Sequence, residues 1–144
     1  MNSWGTPSIG IRAVKPVSSI KIGWIAPINF DAAQTRIRVL NIDRWLRSRG
    51  YYSKIVNYPE IINEKYDVAI VGKHFDIHHY QNIKLLKQHG ITVFCDICED
   101  ILEFAWVKEI LQICDRIVCC SFALEEKIKS INIKTVVIED SYEV

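Results

Sequence analysis

Short apolar runs alternate with longer amphipathic stretches along the chain, and most of the runs end near a glycine, a proline or a polar residue. Nearly continuous apolar runs are typical of strands that are buried on both faces of a sheet. They predict strands over residues 21–26, 51–57, 66–71, 91–95, 116–120 and 133–138. The last strand is expected to be as buried as the others.

The first amphipathic stretch predicts a helix over residues 31–49. Asp31 and Gln34 form a capping-box arrangement at its start, and Gly50 is a typical helix stop. The apolar positions recur at helical spacing, so one face of the helix is expected to pack on the sheet. Its inward residues are predicted to be Val39, Ile42, Trp45 and Leu46.

Three further helices are predicted between the later strands. They are a helix over 78–89 that Asp76 caps, a helix over 99–114, and a short helix that Ser121 caps. The inward residues of the last two are predicted to be Leu102, Trp106, Ile110 and Ile113, and then Leu124, Ile128 and Ile131.

This alternation predicts an α/β fold, a three-layer Rossmann-like parallel sheet of about six strands with helices on both faces. Right-handed crossovers favour the strand order 3-2-1-4-5-6, with a ligand beyond the carboxyl ends near the switch between strands 1 and 4. The predicted organisation is a poorly ordered leader over 1–19, one domain over 20–139 and the start of a connector over 140–144.

Composition narrows the functional classes. The formal net charge of +1 gives no global attraction to nucleic acid, and no apolar run approaches the ~20 residues that span a bilayer. The first residues lack the basic start and apolar stretch of a signal peptide, so a cytoplasmic protein is expected. The arginines of the first helix allow at most peripheral membrane contact.

The cysteines are expected to be reduced and mostly buried. There are five of them, an odd number in a chain without an export signal, and Cys95-x-x-Cys98 stands alone without a second pair at zinc spacing. A thiol-based redox or metal site built on Cys95, Cys98 and Cys119 is the less favoured hypothesis.

Polar residues at the predicted carboxyl edge are the candidate ligand-binding residues. Arg36 and Arg38 lie at the mouth of the first helix, where an arginine could clamp a phosphate or carboxylate, although a solvated helix face is the alternative. Asp96 directly follows strand 4 and could bind sugar hydroxyls or move a proton. The neighbouring Glu99 and Asp100 are expected only to favour a helix start.

Two negative signals accompany these candidates. The segment after strand 1, residues 27–31, contains no glycine, which argues against a dinucleotide or Walker-type phosphate grip. Lys73 and His74 follow strand 3 and precede His78, but a metal site would need further ligands, so surface polar residues are favoured and no metal is expected.

Four segments of the chain resemble the N-terminal half of GT-B glycosyltransferases, in particular the retaining group-1 or family-four-like enzymes. They are residues 35–39 with 46–50, residues 66–71, residues 114–121 with Leu124, and residues 136–140. The likeness covers roughly 21–143 and depends on the order and spacing of the segments. It departs from the family where many members have a glycine-rich turn after strand 1 and a histidine where Asp96 stands.

The resemblance implies a two-domain enzyme in which this chain is the acceptor-binding half. Asn29, Arg36, Arg38, Lys73, His74 and Asp96 would line the acceptor side. The nucleotide-sugar donor is expected on a C-terminal domain or a separate subunit, and the acceptor on a glycan or lipid-linked carrier. No cofactor and no catalytic residue are assigned to this chain. The alternative is a stand-alone, non-catalytic Rossmann-like module that binds a small anionic ligand through Arg38.

Overall fold

A computed structural model of the chain describes residues 19–26, 33–72 and 77–140. The described part contains one six-stranded sheet in which every pairing is parallel. The strands are β1 (Lys21–Ile25), β2 (Tyr52–Ile55), β3 (Val68–Gly72), β4 (Thr92–Ile97), β5 (Arg116–Cys119) and β6 (Thr135–Val137). The predicted α/β class is therefore confirmed.

The strand order is β2-β1-β3-β4-β5-β6, so the predicted order 3-2-1-4-5-6 is wrong and the switch point lies between β1 and β3. The crossover from β2 to β3 passes over β1, and Gly23 in β1 makes room for it. A Cβ at Gly23 would lie 2.8 Å from Ile61 Cδ1 and 2.9 Å from Val56 Cγ2. A side chain there would hold this crossover away from the sheet.

The helices cover the two faces of the sheet unequally. On one face lie α1 (Ala33–Thr35), a π-helical turn (Arg36–Leu40) and α2 (Asn41–Ser48), which follow one another directly. On the other lie α3 (Tyr58–Asn63), α4 (Ile77–Gln88), α5 (Ala105–Ile113) and α6 (Phe122–Ile128). We call these the α2 face and the α4 face.

The main core lies between the sheet and the α4 face. Ile61, Ile83, Ile110 and Ile128, one from each of the four helices, are fully buried in one core with residues of β1, β3, β4 and β5. Burying side chains of this size contributes about 1.5–3 kcal/mol each. This core is what holds four of the seven helical segments in the described residues on one side of the sheet.

The α2 face has a smaller core and a buried polar relay. Ile22, Trp24 and Val39 pack together, and the Trp24 indole N–H donates to Ser53 Oγ at 2.9 Å. The Ser53 hydroxyl in turn donates to Asp43 Oδ1 at 2.6 Å. The relay ties β1, β2 and α2 together and turns Asp43 toward the sheet.

The helical faces therefore differ from the predicted ones in both α2 and α5, and Ile42, predicted to point inward, is 37% exposed. Trp45 is 54% exposed and lies under the Arg49 guanidinium, because Asp43 takes the inward position on α2. Trp106 is 36% exposed, whereas Val107, Ile110 and Leu111 form the buried face of α5. In both helices the true inward stripe is rotated away from the large aromatic side chain.

One helix start was predicted correctly and another was not. Helix α5 begins at Ala105 and not at residue 99, because the Asp100 carboxylate is engaged by Lys127 and the Leu102 N–H. Ser121 caps α6 as predicted, through the Leu124 N–H. The caps predicted at Asp31 and Asp76 lie outside the described residues.

Helix α3 was not predicted. Asn57 caps its start by accepting a hydrogen bond from the Glu60 N–H, and Pro59 occupies its first turn. Both residues are typical of a helix start, but the segment had been assigned to the end of strand 2. The α3 turn is short, which weakens its periodic signal.

Strand β6 is an edge strand and is not buried as predicted. Ile133 is 83% exposed, Ile138 is 50% exposed and the strand is only three residues long. Within the described residues no helix covers the α2 face over β4, β5 and β6. An apolar run in the sequence does not show whether a helix covers the strand that it forms.

Candidate functional site

The candidate site is the carboxyl edge of the sheet on its α2 face. Strands β1 and β3, which flank the switch point, end there at Ile25 and Gly72. Of the predicted site residues, Asn29, Lys73 and His74 follow these two strands and lie outside the described residues. Arg36, Arg38 and Asp96 are described.

Arg38 is the centre of a buried charged cluster. Its guanidinium faces the Asp96 carboxylate side-on, with Nε donating to Oδ2 at 2.8 Å and Nη2 donating to Oδ1. Its Nη1 donates to Asp140 Oδ1 and to the Ile138 carbonyl at 3.4 Å. The contacts join the π-helical turn, β4 and the segment after β6 into one edge.

The electrostatics of this cluster favour the charged form of Arg38. Burial disfavours the charge, but the hydrogen bonds and negative charges of Asp96 and Asp140 outweigh burial and raise the pKa of the Arg38 guanidinium. The Arg38 side chain is 7% exposed, whereas that of Asp140 is 47% exposed. An incoming anion would therefore have to displace the Asp140 carboxylate to reach this cation.

The π-helical turn explains how Arg38 reaches the edge. The wider turn places the consecutive residues Arg38 and Val39 both in buried positions, one toward Asp96 and one toward the sheet. Such turns occur frequently at functional sites. Regular helical periodicity predicted that Arg38, Ile42 and Trp45 lie on one side of the helix. Arg38 and Ile42 do line the same groove, whereas Trp45 does not.

Gly72 is buried and leaves a notch beside Asp96 that sequence reasoning did not identify. The two residues are paired in register at the ends of β3 and β4. A Cβ added to Gly72 would meet no atom of the described residues within 4 Å. A ligand group could enter this space next to Asp96. The signal in the sequence was a glycine that ends an apolar strand.

A largely apolar groove of about 410 Å³ adjoins the charged cluster. Its floor is the part of the sheet that α2 leaves uncovered, and its end toward the carboxyl edge is the Arg38 cluster. The lining residues are Trp24, Ile37, Arg38, Ile42, Leu46, Ile70, Phe94, Asp96, Val118, Val136, Ile138, Glu139 and Asp140. Volume and lining are typical of a site for a small ligand or an apolar segment.

The remaining candidates lie apart from this cluster. Arg36 is half-buried in the π-helical turn. His79 shares a hydrogen bond with the Tyr58 hydroxyl, which ties α4 to α3. Among the described residues, no group of three or more His, Cys, Asp or Glu side chains could hold a metal ion.

The five cysteines are free thiols, and the three on which the thiol-based hypothesis was built have weak nucleophilic character. Burial, and then the Cys114 contact, raises the pKa of Cys95, which is fully buried. Burial also raises the pKa of Cys98 and of Cys119 to about 11, with the negative charges of Asp96 and Glu125 adding to it, respectively. At neutral pH these thiols are protonated, which gives the thiol-based hypothesis no support.

Two aspartates in the segments that resemble glycosyltransferases have a structural role. Asp67 Oδ2 accepts the Lys21 N–H at 2.8 Å, and Asp115 Oδ2 accepts the Val93 N–H at 2.8 Å. Each carboxylate thus satisfies a backbone donor at the amino-terminal end of a neighbouring strand. These motifs lie at the opposite edge of the sheet from the candidate site.

Comparisons with known proteins assign no family. No protein-family model matches the chain, and searches of curated proteins and of solved structures found no match. In the described part of the chain, none of the helices has the length and apolar character needed to cross a bilayer.

Proposed function

We propose that this chain is the acceptor-binding half of a glycosyltransferase, which transfers a sugar from a nucleotide-sugar bound by a second domain or subunit. The observation that carries the proposal is the placement of Asp96 at the carboxyl edge, beside the Gly72 notch and above an apolar groove. In open α/β sheets, ligands bind at this edge.

The chemistry of the edge suits a neutral, hydroxyl-rich acceptor better than a free anion. Each oxygen of the Asp96 carboxylate accepts one hydrogen bond from Arg38 and has a second lone pair for a sugar hydroxyl, whereas the Arg38 guanidinium is already engaged by Asp96 and Asp140. Three carboxylates, those of Asp96, Glu139 and Asp140, line the groove against one guanidinium. This balance disfavours the alternative, a stand-alone module that holds an anion through Arg38.

The apolar groove favours an acceptor with a hydrophobic portion. Trp24, Ile70 and Phe94 provide its floor next to the polar edge. A lipid-linked saccharide has this combination of a hydroxyl-rich head and an apolar tail. The proposal assigns no catalytic residue to this chain, since the donor phosphates would be bound elsewhere.

Saturation-transfer NMR on the 144-residue chain tests the proposal directly. The probes are a panel of oligosaccharides, a short-chain polyprenyl-linked saccharide and a set of nucleotide-sugars. We expect transfer to saccharide or lipid-linked saccharide protons and none to the nucleotide-sugars. Gly72→Val, which fills the notch, should weaken this binding roughly ten-fold, or about 1.4 kcal/mol.

Thr92→Val is the matched control for this variant. Thr92 lies in β4 with Asp96 on the same face, but at the amino-terminal end of the strand. It should leave saccharide binding unchanged. Binding of nucleotide-sugars alone, or equal effects of the two variants, would contradict the proposal. So would a native protein of 16.7 kDa that co-purifies with no nucleotide-sugar-binding polypeptide.

A further inference from the structure

The half-covered α2 face exposes apolar side chains that a parallel sheet normally buries. Phe94 and Val118 are half-buried, Val136 is 40% exposed and Ile138 is 50% exposed. Strands of an all-parallel sheet are usually covered on both faces. A contiguous apolar surface of this kind marks a place where another segment packs.

Residues 1–18 have the composition of a segment that could cover it. They contain Trp4, Ile9, Ile11, Val14 and Val17, spaced closely enough to present several apolar side chains to one surface. Pro7, Pro16, Gly5 and Gly10 argue against a helix and favour an extended segment. Composition alone predicts a poorly ordered leader, but the groove provides the apolar surface on which such a segment could be ordered.

The charges of the segment and the groove are complementary. Residues 1–18 contain Arg12 and Lys15 and neither an aspartate nor a glutamate. The groove carries the carboxylates of Asp96, Glu139 and Asp140 against the single guanidinium of Arg38. A second copy of the same face would instead bring two acidic rims together, which disfavours a face-to-face dimer.

The described residue directly before β1 lies on the same face of the sheet as the groove. Ile20 packs against the Ile22, Trp24 and Val39 cluster, which lies on the α2 face next to the groove. Eighteen extended residues span up to roughly 60 Å. The groove crosses only the strands from β1 to β6, which are spaced about 4.8 Å apart. The preceding segment is therefore long enough to lie along the whole groove.

We propose that residues 1–18 dock over β5 and β6, beside the part of the groove that the proposed acceptor would occupy, and form the missing part of the second layer there. Their apolar side chains pack on Val118, Val136 and Ile138, and Arg12 and Lys15 lie near Glu139 and Asp140. This inference does not depend on the proposed function.

Site-specific photo-crosslinking in the full chain tests the docking. p-Benzoylphenylalanine in place of Val136 should give crosslinks within one molecule to peptides from residues 1–18. The same probe in place of Glu109, an exposed residue of α5 on the opposite side, should give none of these crosslinks. The substitution R12E with K15E should lower the crosslink yield roughly two- to ten-fold at low salt, as expected for two partly exposed ion pairs.

Removal of residues 1–18 gives a second, independent readout. The truncated chain should bind more of an apolar dye such as ANS and should unfold at a lower temperature. Crosslinks from position 136 to a second copy, to another protein or only to residues 19–140 would overturn the proposal. An unchanged dye signal and melting temperature after truncation would also overturn it.

Discussion

The pair of Arg38 and Asp96 shows how one residue can be conspicuous in the sequence and still have a different role in the fold. An arginine at the mouth of a helix suggested an open anion clamp, but two carboxylates and a carbonyl already surround it. Arg38 therefore fixes the edge on which a ligand would bind, and the remaining lone pairs of the Asp96 carboxylate, beside the Gly72 notch, are the acceptors left for a ligand.

Removing the Arg38 charge should destabilise the fold. Arg38→Met leaves the Asp96 side chain, only 11% exposed, without its cation, and we expect a loss of about 2–3 kcal/mol in the free energy of unfolding. Urea denaturation measures this loss. Arg44→Ala, an exposed arginine of α2, is the control and should change stability by less than about 0.5 kcal/mol.

A double variant separates the buried charge from the other contacts of Arg38. Arg38→Met together with Asp96→Leu removes both charges, so much of the lost stability should return. If the double variant were no more stable than Arg38→Met alone, the cost would come from the lost contacts to Asp140 and Ile138 and not from an unpaired carboxylate.

At the scale of elements, Asp115 links the start of β5 to α4 and β4. Burial opposes its charge, but the Lys87 ammonium and the Val93 N–H outweigh burial and lower the pKa of the Asp115 carboxyl. Because the folded-state pKa is the lower one, the contribution to stability is complete above the unfolded pKa near 4 and is lost as the pH falls through the folded value.

Asp115→Asn should therefore destabilise the protein only where the carboxylate is charged. We expect a loss of about 0.5–1 kcal/mol at pH 7, modest because the side chain is one-third exposed and the amide oxygen can still accept from Val93. The difference from the unmodified chain should shrink below about pH 4, as followed by thermal unfolding. A constant difference across the acid range would contradict the assignment. Glu109→Gln, on the exposed side of α5, is the control.

Elements with strong local signals could be predicted from the sequence, and those set by long-range packing could not. Ser121 correctly indicated the start of α6, and the apolar runs located all six strands. The π-helical turn, the outward position of Trp45 and the late start of α5 have no such local signal. They depend on the contacts of Asp96, Asp43 and Lys127, respectively, with residues of other segments. Arg38 and Asp96, which were predicted at the carboxyl edge, are in contact there, but the switch point lies between β1 and β3 and not between strands 1 and 4.

For the whole molecule, the unequal coverage of the sheet predicts unequal stability. Strands β3 and β4 are hydrogen-bonded on both sides and packed on the α4 core, whereas β6 has β5 as its single partner among the described strands. Hydrogen exchange followed by mass spectrometry should show the amides of β6 exchanging first and those of β3 and β4 last. Equal protection of β6 and β4 would show that the edge is closed by another strand in solution.

The parallel sheet also sets the order in which the chain can fold. Val68 of β3 pairs with Thr92 of β4, and Phe94 of β4 pairs with Arg116 of β5, each across a single helix. Ile22 of β1 pairs with Val68 only after four helical segments and β2 have been enclosed between them. Closing the longer loop costs more entropy before any contact is gained. The central β3–β4–β5 unit should therefore form the nucleus, and the crevice between β1 and β3 is completed late, when the amino-terminal third of the chain joins it.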